Sequence, residues 1–115
     1  MTLREFYTAT GGDYEGTLAR LITEARIRKF VLKFKDDPSF HELCSALERK
    51  DVQSAFMAAH TLKGVSQNLG FDRLYRPAAE VTETLRAGVL ADGANVEKLK
   101  AHYEAIICAL ADLDE

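Results

Sequence analysis

The stretch DVQSAFMAAHTLKGVSQNLG, residues 51–70, decides the fold. Read as a helix at about 100° per residue, it gathers Ala55, Ala58, Leu62, Val65 and Leu69 on one side. That side is apolar and has to face a core. His60 falls on the opposite side, together with Gln53, Phe56, Met57, Lys63, Gly64 and Gln67. Asp51 is suited to cap the first turn, and Gly70 to stop the helix after Leu69.

The flanking segments carry the same helical spacing, and no alternating strand pattern competes with it. Leu3, Phe6 and Tyr7 mark a short first helix ended by Gly11-Gly12. Asp13 can cap a second helix with the stripe Tyr14, Leu18, Leu21 and Ile22. The stripe slips around residues 22–25 and resumes as Ile27, Phe30, Val31 and Phe34, so a break or bend is expected there. Asp37-Pro38 reads as a helix start, with Asp as cap and Pro in the first helical position. Phe40, Leu43, Cys44 and Leu47 form that helix's stripe, and Glu48 to Asp51 a tight polar connection. Phe71 and Asp72 open the next helix, with the stripe Leu74, Ala78, Val81 and Leu85. Pro77 lies inside it and should bend it. Gly88 to Asn95 reads as a loop. Val96, Leu99, Tyr103, Ile106, Leu110 and Leu113 line a last helix. Short connections between long helices make neighbours antiparallel. The expected fold is therefore all-α, an up-down four-helix bundle with short helices added at the N-terminus.

The chain of 115 residues fits a single domain spanning residues 1–115. With 47% apolar and 29% charged residues it has an ordinary globular balance. A net charge of -3 without a basic run argues against nucleic-acid binding. No segment reaches the roughly 18 apolar residues of a membrane span, and no signal peptide is evident, so a cytoplasmic protein is expected. Cys44 and Cys108 fit neither a CxxC pair nor a zinc spacing and read as reduced packing cysteines. The lack of a linker at either end favours a free-standing protein, with a monomer as the default.

His60 lies off the apolar stripe, which removes the usual reading of a helical histidine as a packed core residue. Its neighbours add chemistry. Glycine within a helix costs roughly 1 kcal/mol relative to alanine. At i+4, Gly64 leaves the adjoining surface open to a partner. At i+3, Lys63 disfavours a second positive charge on the ring and can offset the charge of an arriving phosphoryl group. Phe56 and Met57 are apolar residues on the wet face and suggest a docking patch, with Gln67 beside them. The basic residues Arg26, Arg28, Lys29, Lys33 and Lys35 read as a solvated helix face.

The run His60-Thr61-Leu62-Lys63-Gly64, followed by Leu69-Gly70, resembles the signature of histidine-containing phosphotransfer (HPt) domains of two-component phosphorelays. The resemblance implies an antiparallel four-helix bundle with His60 as phosphoryl acceptor and donor, normally through Nε2. It implies Lys63 as charge-stabilising neighbour and Gly64 as the residue that gives access. The implied partners are response-regulator receiver domains and a hybrid histidine kinase. The implied cofactor of this chain is none: the partner receiver would hold the magnesium, and a domain of this kind is a phosphocarrier without its own ATP site. Many members orient the imidazole with a residue on the following helix, often glutamine. Here the matching place holds Thr82 with Glu83 beside it, and both are candidates for that task.

Rival functions need features the chain lacks. A di-iron bundle needs Glu-x-x-His pairs, and neither His41, His60 nor His102 has one, so no metal site is expected. No glycine-rich phosphate loop and no Ser, Cys or Asp nucleophile motif supports a self-contained enzyme. The remaining alternative is a non-catalytic receiver-binding module of the same fold.

Overall fold

The computed structural model describes residues 1–91 and 93–113. Among these, seven α-helices and one 3-10 turn follow in the order α1 (Leu3–Thr10), α2 (Tyr14–Leu21), α3 (Glu24–Lys33), the 3-10 turn Phe34–Asp36, α4 (Ser39–Glu48), α5 (Val52–Leu69), α6 (Asp72–Arg86) and α7 (Gly93–Ala111). No strand occurs among the described residues.

The long helices are set by local chemistry. The Asp51 carboxylate accepts the Ser54 amide at 3.1 Å and the Ser54 hydroxyl at 2.7 Å, capping α5. Those two bonds hold the Asp51 carboxyl below the usual carboxylate range. Gly70 ends α5 at φ 70°, in the left-handed region. A side chain there would also run into the Thr17 hydroxyl and the Asp13 carbonyl, so no other residue fits. α5 packs against α4 and α6, and α6 against α7. Phe40 of α4 stacks on Tyr103 of α7 at 4.0 Å and closes the ring of four. The result is the expected four-helix bundle.

The short N-terminal helices cover the end of α5. The last carbonyls of a helix have no partner within it. Here the Tyr7 hydroxyl donates to Leu69 O at 2.6 Å and the Thr17 hydroxyl to the same oxygen at 3.1 Å. Arg20 donates to Gln67 O and Asn68 O, each at 3.1 Å, and the Asp13 amide to Gly70 O at 2.8 Å. Phe6, Tyr7 and Phe34 pack edge-on or tilted around Phe71, the residue that leads into α6.

Tyr7 gives this cover a pH dependence. Burial pushes its phenol up to about 12, against a partial opposing effect of Thr17. An unfolded tyrosine titrates near 10. The folded value lies above the unfolded one, so the contribution is fully present below pH ~10 and is lost as pH rises through ~12. Stability measured by urea unfolding should therefore fall from about pH 10 upward. Tyr7→Phe should lose about 1 kcal/mol at neutral pH and show a shallower alkaline decline. An equally steep decline in the variant would assign it to Tyr14 and Tyr103, whose phenols burial also raises.

Several local expectations need correction. Ile22 does not continue the α2 stripe; it is 67% exposed, and Thr17 is buried instead. The chain turns at Ile22 with φ 77°, and the Thr23 amide donates to Leu21 O across a γ-turn, which swings the side chain outward. Phe30 is likewise an exposed member of its stripe. α4 begins at Ser39, one residue later than expected, although Asp37 still accepts the Ser39 amide at 2.8 Å. On α5, Ala59 and Ser66 are buried in addition to the expected stripe, while Val65 is only half-buried. α6 runs from Asp72 to Arg86 with Pro77 inside it, so the proline does not end the helix. The loop expected from Gly88 to Asn95 is shorter, because α7 already starts at Gly93; Asp92 lies outside the described residues. Leu113 is buried just beyond the end of α7. Cys44 and Cys108 are unpaired; Cys44 is half-buried and burial raises its thiol, whereas Cys108 is exposed and is not the packing residue expected.

Candidate functional site

The outer face of α5 carries His60 near the middle of the helix. His60, Met57, Gly64, Gln67 and Gln53 are exposed, and Phe56 and Lys63 are half-buried. Directly behind them Ala55, Ala59, Leu62 and Ser66 are buried against the neighbouring helices, so the helix cannot roll and the face is fixed. The Ser66 hydroxyl is spent on Leu62 O at 2.7 Å, which lets a polar residue sit in the core.

No hydrogen bond or ion pair engages the imidazole of His60 among the described residues, and the same holds for the ammonium of Lys63. The ring of Phe56 lies 5.8 Å from that of His60, centroid to centroid, with the planes inclined by 15°. A Cβ built on Gly64 meets nothing within 4 Å. The surface next to His60 is thus open on its C-terminal side and aromatic on its N-terminal side.

Beside this face runs a groove of about 940 Å³ between α4 and α5. Gln53, Met57 and Thr61 of α5 line it, with His41 of α4 and Arg49 at the end of that helix. Met57 is 61% exposed, an apolar group held at the groove edge one turn from His60.

The two candidates for orienting the imidazole are both engaged elsewhere. Thr82 is fully buried, and its hydroxyl donates to Ala78 O at 2.7 Å within its own helix. Glu83 is exposed, and its carboxylate accepts from Arg86 Nε at 3.2 Å. Arg86, which the sequence did not single out, places its guanidinium 5.0 Å from the centre of the Phe56 ring.

A family model described as Hpt domain matches residues 37–108, the segment from the start of α4 to near the end of α7. The chain belongs to the Hpt-domain family. The expectation drawn from the His60-to-Gly70 signature is met, in fold as in family. Hpt domains act in phosphotransfer within two-component systems, as phosphocarriers rather than kinases, and they interact with receiver domains and kinases. Helices α1 to α3 precede the matched segment. Neither a curated protein nor a solved structure matches the chain. No helix among the described residues is long and apolar enough to cross a membrane. Among the described residues, no group of three or more His, Cys, Asp or Glu side chains could hold a metal ion.

Proposed function

We propose that this Hpt domain accepts a phosphoryl group on His60 from the aspartate of one response-regulator receiver and passes it to another. The observation that carries the reading is an exposed imidazole with no hydrogen-bond partner, flanked by an unpaired lysine and a side-chain-free position. An imidazole nitrogen with a free lone pair is what an in-line displacement at phosphorus needs.

In the step proposed, the Nε2 lone pair attacks phosphorus. The N–P bond forms as the P–O bond to the aspartyl carboxylate breaks, and the carboxylate leaves with the bonding electron pair. Lys63 supplies positive charge to the phosphoryl oxygens from this side. The receiver supplies the magnesium, so the reading requires neither a cofactor nor an ATP site on this chain. Phe56, Met57, Gly64 and Gln67 form the docking face, an area suited to the small interface of a transient encounter. A hybrid histidine kinase is the natural source of the phosphoryl group. The domain works as a single cytoplasmic unit, as a monomer.

The test mixes the protein with a panel of receiver domains phosphorylated by radiolabelled acetyl phosphate. Label should move to this chain and be acid-labile and base-stable, the behaviour of a phosphoramidate. Stable complexes with receivers but no transferred label would instead make the protein a receiver-binding module without turnover.

Gly64 makes a sharper prediction, because its two effects point in opposite directions. Gly64→Ala should raise stability by about 1 kcal/mol, since the new Cβ meets no obstacle in a helix interior. Transfer should nevertheless slow several-fold, and Gly64→Leu should slow it further by narrowing the approach to His60. A Gly64→Leu protein that transfers at the wild-type rate would remove the access role.

A further inference from the structure

We infer that Arg86 is a positioning residue for His60, acting through the ring of Phe56; this rests on the phosphotransfer reading of His60. An exposed imidazole with no hydrogen bond turns freely about its side-chain bonds, and in-line attack uses only a narrow range of its orientations. Something has to limit that freedom. The hydroxyl of Thr82 cannot, being buried and donated to Ala78 O. The carboxylate of Glu83 does not reach the ring either, being paired with Arg86.

The ring beside the imidazole is Phe56, one turn earlier on the same helix, with the centroids 5.8 Å apart and the two planes inclined by only 15°. Phe56 could not orient anything if it were itself free on a wet face. It is half-buried, and the Arg86 guanidinium sits 5.0 Å from its ring centre. A guanidinium over an aromatic face is drawn to the ring's negative quadrupole, and its own plane limits how the ring can tilt. Glu83 in turn holds Arg86 Nε at 3.2 Å, three residues apart on α6. The order is therefore Glu83 to Arg86 to Phe56 to His60, two helices joined by an ion pair, a cation–ring contact and a ring–ring contact. α6 still orients the histidine, through a stack in place of a hydrogen bond.

The test has two arms on the intact chain. The first is the NMR spectrum of the unphosphorylated protein, in which the carbon-bound ring protons of His60 report the ring current of Phe56. Arg86→Gln and Phe56→Leu should move these signals toward those of a free histidine, and Phe56→Tyr should leave them in place. The second arm is transfer from the fastest receiver of the panel. Arg86→Gln should lower kcat about five- to tenfold with KM changed less than twofold. Glu83→Gln should give a smaller loss of the same kind. Both side chains of the ion pair are more than half exposed, so thermal unfolding should be little altered. Unmoved ring signals in Arg86→Gln would overturn the inference. A raised KM with unchanged kcat would overturn it too, making Arg86 a docking residue. Failure of the wild type to take label would sink the phosphotransfer reading alone, since the ring signals decide the stack without turnover.

Discussion

His60→Gln is expected to take no label from any phosphorylated receiver while folding as well as the wild type. The two halves of this expectation come from separate observations. His60 is exposed, makes no hydrogen bond, and has Phe56 as its ring neighbour, so its removal leaves no buried group unpaired. Glutamine is a slightly better helix former than histidine. The variant should therefore unfold within about 3 °C of the wild type, the range of surface substitutions. Transfer is lost outright because an amide has no nitrogen lone pair able to displace a carboxylate at phosphorus. His41 is also exposed, and label persisting in the variant would move the acceptor there or elsewhere. A variant that loses both label and fold would mean that His60 belongs to the core after all.

The parts of this molecule that could be read from the sequence are those written within one helix. The α5 stripe, the Asp51 cap and the Gly70 stop lie within twenty residues of each other, and each follows from helical spacing or cap chemistry. His60, Lys63 and Gly64 share that frame, so the exposed face was legible with them. The groups that finish the site are not local. Arg86 reaches Phe56 from the next helix, thirty residues on, and nothing in its own neighbourhood distinguishes it from other surface arginines. Thr82 was a reasonable candidate by register. Its hydroxyl, however, sits in the core, where the backbone carbonyl one turn back is the partner within reach. The cover over the α5 carbonyls was equally hidden, since Tyr7, Thr17 and Arg20 act on residues 47 to 62 positions away. Ile22 was misplaced for a different reason. Periodicity assumes an unbroken helix, and one residue at φ 77° ends the helix and turns the side chain out.

The same non-local packing gives the largest expected change in stability, at Phe71. This residue is 1% exposed, and its ring lies 5.2 to 6.0 Å from those of Phe34, Phe6 and Tyr7. It therefore ties α1 and the 3-10 turn to the corner between α5 and α6. Phe71→Ala removes a fully buried ring from a site whose walls are themselves rigid rings, so collapse into the cavity is limited. A loss of about 3–5 kcal/mol follows, against a total of roughly 5–15 for a domain of this kind. The melting temperature should drop by about 15 °C or more, and Phe71→Leu, which fills much of the space, should lose less than half as much. The position of the loss also matters. His60 lies nine residues before Leu69, about 13 Å along the helix axis from the corner. Below its midpoint the Phe71→Ala protein should therefore still accept label at near the wild-type rate, while amide exchange quickens in α1 and α2. A loss under about 1 kcal/mol would show that the N-terminal helices rest on the bundle without stabilising it. Normal stability with abolished transfer would reverse the assignment and make this corner part of the site.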